Sequence, residues 1–327
     1  MEGLIAITYR CNARCYMCNT WKFPSGVSEE LQPADLDNLP EMEFTNITGG
    51  EPFLRKDIDD FIEVIRPRSK RIVISTNGYF TERIVATAAK WPDLGFRVSL
   101  EGLPAANDEL RGIKDGFDHG LRTLLELKSM GLKDVGFGIT VSDRNAKDMR
   151  ELYRLAEGLH MEFATAVTHN TYYFHKMDNR FEDPKMIIRE FRGLIKDLLR
   201  TKRLKNWFRA YFNEGLIGFV RGNPRPLPCE VGSDLFFVDP FGRVLTCNGS
   251  EFVMGSLKEQ SFAEIWSSEQ ADRARQCVAD CTKNCWMIGS ASPAIKKRKW
   301  HVLFWILRNR KRYLSGEYDD PEIVVPM

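Results

Sequence analysis

This sequence has no apolar run approaching the roughly 20 residues needed to span a bilayer, and it has no low-complexity tract or internal repeat. The composition is that expected of a soluble globular protein. The first residues, Met1-Glu-Gly-Leu-Ile-Ala-Ile-Thr8, lack both a basic segment and a long apolar core. They form no secretory signal, and the expected location is the cytoplasm. Histidine is scarce, with five in 327 residues. His119, His160, His169, His175 and His301 show no metal-ligand spacing among themselves, although His169 and His175 fall where they could reach a substrate. Acidic residues are missing from Lys296 to Arg312, a segment holding eight Lys and Arg. The net charge of +2 therefore combines a basic block with a body that carries 39 basic against 45 acidic residues. Such asymmetry points to an anionic surface near that block, not to general nucleic-acid coating.

Cysteine is absent between Cys18 and Cys229, which splits the eight cysteines into two clusters. In a cytoplasmic protein that distribution suggests metal ligation before disulfides.

From residue 4 to about 200, short runs rich in Val, Ile and Phe alternate with segments of helical period. Strands are expected at Leu4–Thr8, Phe44–Thr48, Arg71–Ser75, Phe96–Leu100, Val135–Val141 and Met161–Val167. Helices are expected at Asp57–Arg66, Thr81–Trp91, Gly120–Met130 and Lys147–Leu159, followed by a long helical stretch over Pro184–Val220. The alternation implies parallel strands with right-handed crossovers, in an open sheet or a barrel of βα units. In either architecture chemistry gathers at the strands' carboxyl ends. The tract Gly222-Asn-Pro-Arg-Pro-Leu-Pro228 reads as a linker, and a cysteine-rich module starts at Cys229. Within it, Leu235–Asp239 and Arg243–Thr246 flank a Pro240-Phe241-Gly242 turn, the pattern of a β-hairpin, and Ser261–Arg275 reads as a helix.

Cys11-Asn-Ala-Arg-Cys15-Tyr-Met-Cys18 follows the first strand directly. Three thiolates in one loop can each hold one iron of a [4Fe–4S] cube and leave the fourth iron open, whereas an electron-transfer cluster normally closes it with a fourth Cys. A structural zinc site would lack its fourth local ligand. Three unrelated buried cysteines are the other plain reading.

C-x3-C-x2-C after an N-terminal strand resembles the radical S-adenosylmethionine (SAM) superfamily. That resemblance implies a partial (βα)6 barrel of α/β class, with SAM bound to the open iron and cleaved reductively to a 5′-deoxyadenosyl radical. Thr48-Gly-Gly-Glu51-Pro52 resembles the family's GGE segment, in which glycine backbone approaches the methionine ammonium and the acid supplies opposite charge. Ser75-Thr-Asn77-Gly78 and Ser99-Leu-Glu101-Gly102 close the third and fourth strands, where the family places polar groups near the ribose and carboxylate. Ordinary capping and turn chemistry would also account for either. Arg111, in Leu110-Arg111-Gly112, is a candidate partner for a carboxylate. Met17 stands where relatives often carry an aromatic against the adenine, and a thioether packs there equally well. The candidate cofactor residues are thus Met17, Gly49, Gly50, Glu51, Ser75, Asn77, Ser99, Glu101 and Arg111, with Glu101 also a candidate catalytic group.

The later cysteines begin with C-x12-G-x4-C from Cys229 to Cys247 and end with Cys277-x3-Cys281-x3-Cys285. The first half resembles the auxiliary-cluster domains called SPASM and twitch. The count fits one auxiliary [4Fe–4S] cluster on Cys229, Cys247, Cys281 and Cys285, although a zinc ribbon shares the pattern. Cys277 is left over as a structural residue or a catalytic hydrogen-atom donor. The expected organisation is a barrel over 1–220, the auxiliary module over 221–292 and a basic helix with tail over 293–327.

A reductant such as flavodoxin or ferredoxin is implied. Relatives that mature peptides commonly carry a recognition domain before the barrel, and the first strand here begins at residue 4, so the expected substrate is a small molecule, a sugar or a lipid-linked intermediate. Oxidation is the leading outcome. Epimerisation, peptide or RNA modification, and a zinc-stabilised binding module with no activity are the alternatives. Lys296–Arg312, as a helix, places Trp300, Leu303, Phe304 and Leu307 on one face with basic residues at both ends. It reads equally as an interfacial helix attracted to the anionic inner face of a membrane and as a helix docked on the barrel or at a dimer contact.

Overall fold

The computed structural model describes residues 1–327. Six parallel strands, β1 (Glu2–Ala6), β2 (Phe44–Thr48), β3 (Ile72–Thr76), β4 (Gly95–Ser99), β5 (Val135–Val141) and β6 (Glu162–Val167), run in sequence order from the middle of the sheet to one edge. The sheet is open and never closes, as a partial barrel requires. Helices α1 (Ile58–Ile65), α2 (Thr81–Lys90), α4 (Gly116–Ser129) and α5 (Met149–Gly158) fill the crossovers where helical period is legible, each within a few residues of its expected bounds.

An additional helix, α3 (Pro104–Arg111), precedes α4. Its signals are a proline in the first turn and Gly112 past its end at φ 56°, a left-handed stop that suits glycine. The long stretch after β6 divides into α6 (Pro184–Arg200) and α7 (Leu204–Val220), which pack on each other as a hairpin. Asp183 caps α6 by accepting from Met186 N–H at 3.0 Å.

After the linker the chain returns to the sheet. β7 (Leu235–Val238) pairs parallel with β1 on the side opposite β2, and β8 (Arg243–Leu245) and β9 (Val253–Ser256) extend it antiparallel to a nine-stranded sheet. The β7–β8 turn has Gly242 at φ 82°, and Asp239 Oδ1 accepts from the backbone of Phe241 and Arg243, each at 3.0 Å. The expected single helix over Ser261–Arg275 is two, α8 (Phe262–Trp266) and α9 (Glu269–Ala279). The basic segment forms α10 (Ile288–Lys297) and α11 (Lys299–Leu314), and α11 lies against α6 and α7. No helix is long and apolar enough to cross a membrane.

One core runs through the whole chain, from Ile5 in β1 to Val302, Trp305 and Ile306 in α11. At its α7–α11 contact Glu214 is enclosed and accepts from Tyr313 Oη. Burial pushes its pKa from the ordinary 4.5 to about 7. Between those values the folded chain keeps a proton that the unfolded chain has lost. The stabilisation is therefore complete below pH 4.5 and is lost as pH rises through about 7. Urea unfolding across that interval is expected to show wild-type stability falling relative to Glu214→Gln; parallel curves would remove Glu214 as the cause.

Candidate active site

The parallel strands deliver their carboxyl ends to one edge, where a pocket with about 210 Å³ of interior space opens. Cys11, Cys15 and Cys18 from the loop after β1 line it, together with Gly49 and Gly50 after β2, Ser75 and Asn77 at β3, and Ser99 and Glu101 at β4. Met17 and Arg111 complete the expected lining. Residues separated by about a hundred positions thus meet because each follows a strand.

The cysteine loop is tied down from three directions. Arg14 and Tyr16 N–H donate to the carbonyls of Arg111 and Leu110 at 2.9 and 2.7 Å, Gly50 and Glu51 N–H donate to Thr8 and Arg10 at 2.7 and 2.8 Å, and Asn19 N–H donates to Phe174 at 2.8 Å. A Cβ on Gly50 would stand 2.3 Å from the Arg10 carbonyl oxygen, so this approach requires glycine. Beneath the loop, Glu30 accepts from Thr8, from Ser25 at 2.6 Å, from Arg10 at 2.8 Å and from Arg55 at 3.1 Å. Burial alone would raise the Glu30 carboxyl; the hydrogen bonds from Arg10, Ser25 and Thr8 outweigh it and bring it below its ordinary value.

Burial pushes the Cys11 thiol up to about 12 and raises Cys15 and Cys18 in the same direction. Thiols that costly to ionise by themselves need metal charge to become ligands. No three His, Cys, Asp or Glu side chains converge closely enough to share a single ion. Three soft donors, each free to hold its own metal, fit an iron–sulfur cube. Arg111 Nε supplies the second half of the fit, since it is buried without a partner in a residue that lines the pocket.

Two expected residues take different places. Glu51 is fully buried beneath the pocket and does not line it. Its carboxylate accepts from Thr76 Oγ1 and Asn77 N–H, both at 2.7 Å, and from Phe53 N–H at 3.1 Å. It therefore pins the ends of β2 and β3 together, and the glycines before it face the cavity. Cys277 on α9 does not line the pocket either, so the hydrogen-donor role expected of it lacks geometric support. Glu101 does line it, but both oxygens are engaged, by Arg111 at 3.1 Å and by Thr140 N–H at 2.6 Å. This arrangement fixes Arg111 in the pocket lining.

Trp21, Thr140, Thr168, His169, Tyr173 and Phe174 also line the pocket. Of these only His169 stood out in the sequence. Tyr173 Oη donates to the Gly49 carbonyl at 2.5 Å, and Asn179 Nδ2 donates to the Met17 carbonyl at 3.2 Å. The segment after β6 thereby folds over the cysteine loop, a long-range contact that no local pattern encodes.

On the other side of this segment stands the second cysteine set. Burial raises Cys229 and takes Cys285 to about 12; the charges of Cys247 and Cys281 act on both. His169 connects the two regions. Its Nδ1 faces the Val167 carbonyl at 2.7 Å and must donate, while Nε2 accepts from Trp286 N–H at 3.3 Å, one residue past Cys285. Burial lowers its pKa to about 4.

Two family models match the chain: the radical SAM superfamily over residues 5–156 and an iron–sulfur cluster-binding domain, SPASM, over residues 229–286. The chain carries a radical SAM domain followed by a SPASM-type iron–sulfur domain. Its cofactors are a [4Fe–4S] cluster, SAM and an auxiliary iron–sulfur cluster. Among curated relatives, Fe-coproporphyrin III synthase of Methanosarcina barkeri is 35% identical over 158 residues, covering 46% of this chain and 39% of its own. Pre-heme d1 synthase of Dinoroseobacter shibae is 26% identical over 298 residues, covering 80% and 72%. The chain therefore spans well under half of the first relative's length. A solved structure of native anSMEcpe with bound AdoMet shares the fold at TM-score 0.63 and 14% identity, over 95% of this chain and 99% of that one. Streptococcus suis SuiB bound to S-adenosylmethionine does so at TM-score 0.61 and 16% identity, over 82% and 65%.

Anaerobically reconstituted protein is expected to hold about eight irons, two cubes of four. Cys281→Ser is expected to fall to about four, and Cys277→Ser to retain all. An iron assay in which both variants lose equally would overturn the division of the terminal cysteines.

Proposed function

We propose that Cys11, Cys15 and Cys18 hold the [4Fe–4S] cluster, that Met17, Gly49, Gly50, Ser75, Asn77, Ser99 and Arg111 hold SAM, and that Cys229, Cys247, Cys281 and Cys285 hold the auxiliary cluster. The activity is hydrogen-atom abstraction leading to oxidation of an acidic small-molecule, sugar or lipid-linked substrate. The observation that carries this reading is the single pocket shared by three thiols and the strand-end groups. When bound, the cluster and SAM supply a 5′-deoxyadenosyl radical able to attack unactivated C–H bonds.

The chain's own residues orient and shield. Arg111, held by Glu101, offers its unpartnered Nε to a carboxylate. Trp21, Tyr173 and Phe174 line the cavity with aromatic surface and keep water from a reactive centre. Arg14 and Lys22 lie 5.6 and 5.2 Å from the Trp21 ring centroid, and neither makes an ion pair. Their charge supports a substrate bearing carboxylate or phosphate groups. Relatives named as a pre-heme d1 synthase and an AdoMet-dependent heme synthase match about 80% of the chain and support a small molecule over a peptide. Cys277 is the thiol that epimerisation would use, and its absence from the pocket lining favours oxidation. An electron-transfer protein of flavodoxin or ferredoxin type serves as reductant.

Reduced, reconstituted protein with SAM is expected to release 5′-deoxyadenosine, measured chromatographically, and Cys15→Ala to release none. Failure of the wild type would sink the reading. Acidic candidate substrates are expected to accelerate release, and Arg14→Glu with Lys22→Glu to raise their KM roughly tenfold while substrate-free cleavage persists.

A further inference from the structure

We propose that α11 is a docking surface for an anionic phospholipid bilayer. This helix has two apolar faces. The inner one, Val302, Trp305, Ile306 and Tyr313, is at most 2% exposed and packs on α6 and α7. Trp305 meets Tyr211 edge-on at 5.4 Å, and Arg310 lies 4.7 Å from the Trp207 ring while donating to the Leu199 carbonyl at 2.9 Å. The helix is thus fixed to the body without using its other face.

The outer face carries Trp300, Phe304 and Leu307, exposed at 73%, 64% and 71%. Their i, i+4, i+7 spacing makes one stripe. Three large side chains left in water on an otherwise anchored helix form a contiguous patch of the kind that marks a binding surface.

The surrounding charge selects the partner. Half of the basic block is spent in internal ion pairs: Lys296 pairs with Glu2, Lys297 with Glu230 and Asp234, Arg298 with Glu230 and Arg312 with Glu317. Lys299, Arg308 and Lys311 are exposed and enter no ion pair. Arg308 and Lys311 each stand four residues beyond a member of the stripe, and Lys299 lies 5.9 Å from the Trp300 ring. No acid occurs between Asp280 and Glu317. Aromatic and aliphatic groups ringed by unpaired cations match the boundary between acyl chains and anionic headgroups. A second copy would bring the same cations face to face across a two-fold axis. Nucleic acid would reward the cations and leave the apolar centre of the stripe unburied.

The test is co-sedimentation of the full chain with vesicles of phosphatidylcholine alone and of phosphatidylcholine mixed with phosphatidylglycerol. Wild type is expected on the mixed vesicles, with affinity falling as salt rises. Replacing Trp300, Phe304 and Leu307 together by Ser is expected to weaken binding at least tenfold with an unchanged Tm, because these side chains do not pack inward. Replacing Lys299, Arg308 and Lys311 by Ala is expected to cost roughly 100-fold. Absence of wild-type binding, equal binding by either variant, or dimers in sedimentation velocity that the Ser variant disperses would overturn the proposal.

Discussion

The parallel ladder between β1 and β7 is the constraint on which the rest of the molecule depends. It registers Glu2 through Ile5 against Leu235 through Val238, while the other edge of β1 pairs with β2. The strand that carries the first cysteine loop therefore lies between two neighbours contributed by different halves of the sequence. A parallel pair cannot be closed by a hairpin and needs a crossover. Here the chain leaves β6 at the far edge, crosses through the α6–α7 hairpin and returns to β7. α11 then packs on that crossover and locks the return. The two cysteine sets are neighbours because of this route.

Buried carboxylates perform the local positioning around the pocket. Glu30 binds Arg10 and Arg55 beneath the cysteine loop, Glu51 joins the ends of β2 and β3, and Glu101 holds Arg111 to β5. Each is almost wholly buried, which is tolerable only because its oxygens are filled by donors. Removing one such partner would leave the rest of the set unpaired in a low-dielectric interior. The site is therefore rigid for electrostatic reasons as much as for packing.

What could be read in advance was what is local in sequence. The cysteine loop, the glycine pair and the polar residues at strand ends announce themselves through short spacings, and β2 and β5 fall on their expected bounds. Helix α3 carried its own signals, a first-turn proline at Pro104 and a left-handed stop at Gly112. Glu51 was legible as an acid after two glycines, yet its inward orientation depends on Thr76 and Asn77 in another strand. The basic block looked uniformly available, and much of its charge proved to be met by Glu2 and Glu230, far away in the chain. Pairing of that kind is a property of the fold and leaves no periodic trace.

The His169 contact has one further consequence. Its single ring proton is given to a carbonyl, its single lone pair is filled by a backbone N–H, and its face is stacked on Phe219 at 4.1 Å. With burial holding it uncharged down to about pH 4, the imidazole has no vacant position through which to relay a proton. Where this residue divides the two cysteine sets, it therefore closes the wall to protons instead of passing them across.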